Sequence, residues 1–146
     1  MVKNVISYLY LSNPKDLDQS LGMNLKFIKE YYHIFDGCRI IYVATDDSID
    51  SEISDSLKSD IIHQIGYDVT FVKNHPSNRE SEYFMDQLKE LKSKMDPNSI
   101  TFYHHSKGST YANPNVDKWT SSMYYFNLCE ESIEQVEDQL SRDKVF

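Results

Sequence analysis

A chain of 146 residues with 40% apolar and 26% charged side chains is long enough for one domain with its own core and too short for two ordinary ones. Its net charge of -8 and pI near 5.0 count against a general binder of nucleic acid or of anionic membrane, because such partners require a basic face that displaces counterions. A small anionic ligand needs only a local cluster of cations and stays within reach, and eleven Tyr and seven Phe make the chain rich in aromatics.

The stretch from Val5 to Leu11 reads as a first strand ended by the turn Ser12-Asn13-Pro14. Leu21, Leu25, Ile28, Tyr32 and Phe35 recur at spacings of three and four, which predicts a helix from about Asp18 to Phe35 that Asp36-Gly37 stops. Asp16-Leu17-Asp18 has the form of an Asp-x-Asp metal string, but acidic residues at a helix start read better as an amino-terminal cap. Arg39 to Ala44 is a continuous apolar run of the kind found in a sheet covered on both faces.

Thr45-Asp46-Asp47-Ser48 is expected to cap a second helix that carries Ile53, Leu57, Ile61, Ile62 and Ile65 on one face and ends at Gly66. A third strand spans Asp68 to Val72, and Ser77 with Glu80 has the spacing of a capping box for a third helix through Tyr83, Phe84, Leu88, Leu91 and Met95. A fourth strand, Ile100 to Tyr103, leads into His104-His105-Ser106-Lys107-Gly108, and a last helix is expected from about Val116 to Leu140, with a fifth strand starting at Val145 and Phe146. No apolar run approaches the roughly 20 residues that cross a bilayer. Cys38 and Cys129 match no metal spacing and read as small buried hydrophobes, which together with an unmarked amino-terminal strand leads us to expect a cytoplasmic domain.

Repeated strand-helix alternation with short connections predicts an α/β fold of the Rossmann type, a mostly parallel sheet with helices on both faces. In such a sheet the loops after the strands emerge at one carboxyl edge, so Asn13, Asp46, Asp47, Asn74, Arg79 and Lys107 are expected to converge there. The tract His104 to Gly108 adds two imidazoles, a hydroxyl, an ammonium and a glycine to that edge. Lys107 is suited to hold an anion as a point charge, Gly108 lets the backbone turn its N–H groups toward the same anion, and Arg79 at a helix start supports it.

Each assignment has a plainer alternative. Asp46 and Asp47 are equally suited to helix capping, and Arg79 and Lys107 to solvated surface positions. Adjacent residues on a strand face opposite ways, so His104 and His105 are not expected to bind one ligand together; one belongs to the core and the other is free to act as a base, a phosphate ligand or a metal ligand with Asp46 or Asp47. Trp119, beside Met123 and Phe126, is either a pocket wall or a packed core aromatic, and Asp117 either a functional carboxylate or a helix-start residue.

Phe102-Tyr103-His104-His105-Ser106-Lys107-Gly108, followed by Val116-Asp117-Lys118-Trp119 and by Met123-Tyr124-Tyr125-Phe126, resembles a family of bacterial and viral glycosyltransferase-like proteins. These carry an aromatic-x-His-Ser/Thr-Lys-Gly element, an Asp-x-Trp and a Met-x-Tyr-Phe. Ile34-Phe35-Asp36-Gly37 and a Glu early in the third helix, Glu80 or Glu82, are similar to further family segments.

The resemblance implies a GT-A-like nucleotide-diphospho-sugar transferase fold in a single domain, 1–146, that lacks the acceptor-side half of longer relatives. It also implies sugar transfer from a nucleotide diphosphate to a saccharide or protein acceptor. Tyr10, Asp46, Asp47 and Asn74 would then seat the nucleoside, His104, Ser106, Lys107, Gly108, Arg79 and Trp119 would line the donor site, and His105 and Asp117 are the candidate catalytic groups. The Asp-x-Asp metal motif of such enzymes is replaced by His104-His105-Ser106, so Mn2+ or Mg2+ is an optional cofactor at most, with no dedicated metal ligand assigned.

Three other functional classes are to be weighed. A non-catalytic module of the same fold would bind a nucleotide or partner without transferring sugar. A pyridoxal-phosphate lysine at Ser106-Lys107 would need a much larger fold, and the Gly-x-Ser-x-Gly elbow of a hydrolase does not occur.

Overall fold

In a computed structural model, which describes residues 1–45, 53–73, 80–106 and 114–142, the chain forms one four-stranded sheet with helices on both faces. The strands are β1 (Val2–Tyr10), β2 (Arg39–Thr45), β3 (Val69–Lys73) and β4 (Ser99–His105); the helices are α1 (Met23–Tyr31), α2 (Asp55–Ile65), α3 (Glu80–Lys94), α4 (Pro114–Leu128) and α5 (Glu130–Arg142). Sheet order is β3-β2-β1-β4 and all three pairings are parallel. Among the described residues no helix is long and apolar enough to cross a membrane.

The two faces follow from alternation along the strands. Val5, Leu9, Ile41 and Val43 face a core built with α1, α2, α4 and α5, where Leu21, Leu25, Ile28, Tyr32 and Phe35 form the buried stripe that their spacing predicts. Ile6, Tyr8, Ile40, Tyr42 and Ala44 face α3, which contributes Leu91 with Tyr83 and Leu88. Gln87 of α3 is fully buried and donates from Nε2 to the carbonyl oxygens of Ser7 (2.8 Å) and Ile40 (3.4 Å).

Several boundaries differ from the sequence expectation. The first helix begins as a π turn over Asp18–Gly22 and closes as a 3-10 turn over Tyr32–Ile34, with Asp16 Oδ1 accepting from Gln19 N (3.0 Å) as a cap. The second helix starts at Asp55 and is capped by Ser54, whose hydroxyl accepts from Leu57 N (3.1 Å), so Ile53 precedes it; the expected cap residues Asp46, Asp47 and Ser48 lie outside the described residues. Ile62 is exposed because Ile61 and Ile65 already occupy the inward stripe. Gly66 ends that helix with φ of 76°, a left-handed conformation that suits glycine.

The expected long last helix is broken at Cys129 into α4 and α5, which lets the second half fold back and bury Ile133. Both cysteines are free and half-buried rather than buried. Ser77 of the expected capping box, and Val145 and Phe146 of the expected fifth strand, lie outside the described residues.

Asp36-Gly37 does more than stop a helix. Asp36 Oδ1 accepts from Lys3 N (2.8 Å), Gly37 N donates to Lys3 O (2.9 Å), and Cys38 N donates to Asn4 Oδ1 (2.8 Å), so this corner hooks the start of β2 onto β1. The backbone bond from Lys3 is the main reason that the Asp36 carboxyl sits below its usual pKa. A Cβ on residue 37 would lie 2.2 Å from Asn4 Oδ1 and 2.7 Å from Val2 Cγ1. Gly37→Ala is therefore expected to cost about 2–3 kcal/mol in urea unfolding, the upper part of the range for overpacking; a midpoint equal to that of the parent chain would show that the two strands part freely here.

Candidate functional site

Because the sheet is all parallel, Tyr10, Thr45, Lys73 and His105 end their strands at one edge. The crossovers β1-α1-β2 and β2-α2-β3 run one way along the sheet and β3-α3-β4 returns past them, so the order reverses between β1 and β4. A crevice at such a reversal is the usual ligand seat of open α/β sheets.

The fourth strand extends two residues beyond its expected end, through both histidines, and Ser106 is the first residue past it. Ser106 N donates to Tyr8 O and Ser106 Oγ accepts from Tyr10 N, each at 2.9 Å, so this residue pins the carboxyl ends of β1 and β4 together. On the β1 side the following loop is fastened by buried Ser20, whose hydroxyl accepts from Ser12 N (2.7 Å) and Asn13 N (3.3 Å). Tyr10 is half-buried against the α3-side core.

His104 and His105 leave opposite faces of β4, as adjacency requires. His105 stacks on Tyr103 (ring centroids 6.0 Å apart), and Tyr103 meets Phe84 of α3 edge-on. His104 faces the other core, where its ring lies 4.6 Å from that of Tyr124 and edge-on to Tyr32. Yet both histidines line one pocket of about 460 Å3, with Phe102, Tyr103, Met123, Tyr124, Asn127, Leu128 and Val136. β4 is the edge strand of this sheet, around which a pocket reaches side chains of both faces.

Sequence reasoning missed the partners of His104. Ser7 pairs with His104 in register across β1 and β4, and Tyr32 at the end of the first helix lies over both. Tyr32 Oη is 2.5 Å from Ser7 Oγ and 3.0 Å from His104 Nδ1, while Tyr124 Oη donates to Asn24 Oδ1 at 2.8 Å. The available signal was a serine and an asparagine inside otherwise apolar, core-facing patterns.

Burial drives the Tyr32 and Tyr124 hydroxyls far above their usual range. Burial first, and the neighbouring His105 second, lower His104 from 6.5 to about 3. His104 is half-buried overall, its remaining surface being at the pocket wall, so the operative consequence is the direction: a neutral imidazole at pH 7. It is not placed to alternate as an acid and a base near neutrality.

Asp46, Asp47, Asn74, Arg79, Lys107 and Gly108 lie outside the described residues. Asp117 and Trp119 fall in the first half of α4. The structure thus brings together Tyr10 and Ser106 at the carboxyl edge, and His104 and His105 around the edge of β4.

An unfolded histidine binds a proton near pH 6.5 that folded His104 refuses, so its contribution to stability is full above that pH and is lost as pH falls toward 3. Between those limits the slope reaches at most about 1.4 kcal/mol per pH unit, reduced by water at the open edge of the ring. His104→Gln is expected to unfold in urea with a shallower loss of stability between pH 7 and 5 than the parent chain. Identical acid slopes would show that His104 protonates freely in the fold.

Compared with models of known families, with characterised proteins and with solved structures, the chain matches none.

Proposed function

We propose that the carboxyl-edge crevice between β1 and β4 binds a nucleotide-diphosphate sugar, and that the protein transfers the sugar to a saccharide or protein acceptor as a GT-A-like glycosyltransferase. The observation that carries this reading is the reversal of strand order between β1 and β4, locked by Ser106 on Tyr10, directly before Lys107-Gly108 in the sequence. A departing diphosphate needs positive charge and N–H donors where its own charge grows. Lys107 and Gly108 have that chemistry, with Arg79 as a second cation, in a chain whose overall charge of -8 makes a local cationic cluster necessary for an anion. Asp46 or Asp47 accepts from the base or ribose, Tyr10 offers a ring beside the crevice, and Asn74, Asp117 and Trp119 complete the donor side. Mn2+ or Mg2+ assists only in a supporting role, since the place of an Asp-x-Asp is occupied by His104-His105-Ser106.

A second reading, a non-catalytic nucleotide-binding module, is favoured by one specific observation. Two of the polar side chains of the tract are already engaged in structure: Ser106 Oγ by Tyr10 N and His104 Nδ1 by Tyr32 Oη. In that reading the site binds and the bond to the sugar stays intact.

Titration calorimetry with UDP and UDP-sugars, with and without Mn2+, tests the shared element; no heat at millimolar ligand removes both readings. Release of free sugar or its transfer to added acceptor separates them. Lys107→Ala is expected to weaken UDP by roughly 10- to 100-fold, the worth of a charge-assisted hydrogen bond, with the circular dichroism spectrum unchanged. Unaltered affinity moves the diphosphate elsewhere. Asp47→Asn is expected to weaken uridine more than pyrophosphate, and equal loss of both would point to a metal-holding role.

A further inference from the structure

The pocket on the outer flank of β4 has walls whose chemistry differs from what a diphosphate needs at the carboxyl edge. Its walls are the rings of Phe102, Tyr103 and Tyr124 with Met123, Leu128 and Val136, and among the described residues no Lys or Arg lines it. Its volume of about 460 Å3 falls within the roughly 300–1,000 Å3 of small-molecule sites. Such sites usually pair apolar walls with a few fixed polar groups; His104, His105 and Asn127 are in the lining here, and His104 is the one held by a buried hydroxyl chain.

The hydrogen-bond chain behind His104 sets which of its nitrogens carries the proton. Ser7 is fully buried, and its hydroxyl has Tyr32 Oη as its hydrogen-bond partner among the described residues. Were Tyr32 to donate to Ser7, the Ser7 hydrogen would be buried without an acceptor, at a cost of about 1–3 kcal/mol. The satisfied arrangement runs Ser7 O–H to Tyr32 Oη, and Tyr32 O–H to His104 Nδ1. Nδ1 is then the acceptor and the ring proton sits on Nε2.

Among the described residues Nε2 has no protein partner, and it is not among the side-chain atoms buried without one, of which Gln87 Oε1 is the single described case. It therefore opens to the surface, and the surface that His104 lines is the pocket. The pocket consequently offers a neutral N–H donor held in place from behind by two buried hydroxyls. Flat rings stack or pack edge-on against the three aromatic walls, and Met123 adds a soft sulfur contact. Among the described residues a carboxylate or phosphate would meet the side-chain nitrogens of His104, His105 and Asn127 but no Lys or Arg, in a chain of charge -8.

We infer that the groove along the outer edge of β4 is a binding site for a small uncharged aromatic molecule bearing a hydrogen-bond acceptor, which His104 Nε2–H engages. The inference stands independently of sugar-nucleotide binding at the carboxyl edge.

Nitrogen-15 NMR of the histidine-labelled full chain tests it in two steps. Without ligand, His104 is expected as the Nε2–H tautomer at pH 7; the Nδ1–H tautomer overturns the donor assignment and the inference with it. On titration, benzamide is expected to shift the His104 Nε2 resonance saturably, and benzoate to bind at least about tenfold more weakly. No shift with benzamide, or equal binding of benzoate, overturns the inference. Val136, 38% exposed on α5, gives a variant that leaves the core intact: Val136→Trp fills the groove from its rim and is expected to abolish the benzamide shift while preserving the tautomer. Persistent binding in that variant also overturns it. Saturating UDP is expected to leave the benzamide response unchanged, and displacement by UDP would refute the separate site while leaving nucleotide binding in place.

Discussion

Everything in this fold leans on β1, whose backbone is paired on both sides at the point where the sheet reverses direction. A strand in that position must be apolar on both faces to be covered by helices, yet β1 carries Asn4 and Ser7 at full burial. Each is tolerated because its polar atoms are matched. Asn4 accepts from Cys38 N (2.8 Å) on the β2 side and donates to Ser99 Oγ (3.0 Å) on the β4 side, so one carboxamide fixes the register of three strands. Ser7 shares its hydroxyl with Tyr32 below the sheet, and its carbonyl accepts from Gln87 above it. An unmatched polar group at either place would cost about as much as a large part of a small domain's stability.

The same matching creates the unequal chemistry of the two histidines. His104 is held by a hydroxyl chain that begins on β1, so its tautomer and its neutrality are properties of the core. His105, one residue later, belongs to the α3 face and rests on Tyr103. Their common access to one pocket comes from the edge position of β4, and that position is a consequence of topology rather than of local sequence.

What could be read from the residues divides along physical lines. Continuous apolar runs such as Arg39 to Ala44, and the stripe from Leu21 to Phe35, mark strands and helix faces because burial is repeated along the chain with a fixed period. The capping of α2 was misplaced from Ser54 to Thr45-Ser48 because several Ser and Asp residues satisfy the same local rule, and only the tertiary path selects one. The break at Cys129 carries no Gly or Pro; it is set by how α5 packs back to bury Ile133. At the site, the carboxyl-edge position of Ser106 followed from the strand pattern, whereas the Ser7-Tyr32-His104 chain joins residues whose separation gives no local signal.

The long reach of the β1 pairings also dictates an order of assembly. Asn4 meets Cys38 at a separation of 34 residues but meets Ser99 only at 95. During synthesis β1, β2 and β3 can pair while the other side of β1 stays open until β4 leaves the ribosome, and non-local closures of this kind are slow. For that interval the exposed edge of Val5, Ile6, Tyr8 and Leu9 is a template for wrong pairing between chains. The asparagine that precedes those residues and the serine set among them shorten the apolar run, so the groups that fix the finished register also make the waiting strand a poorer partner for its own copies.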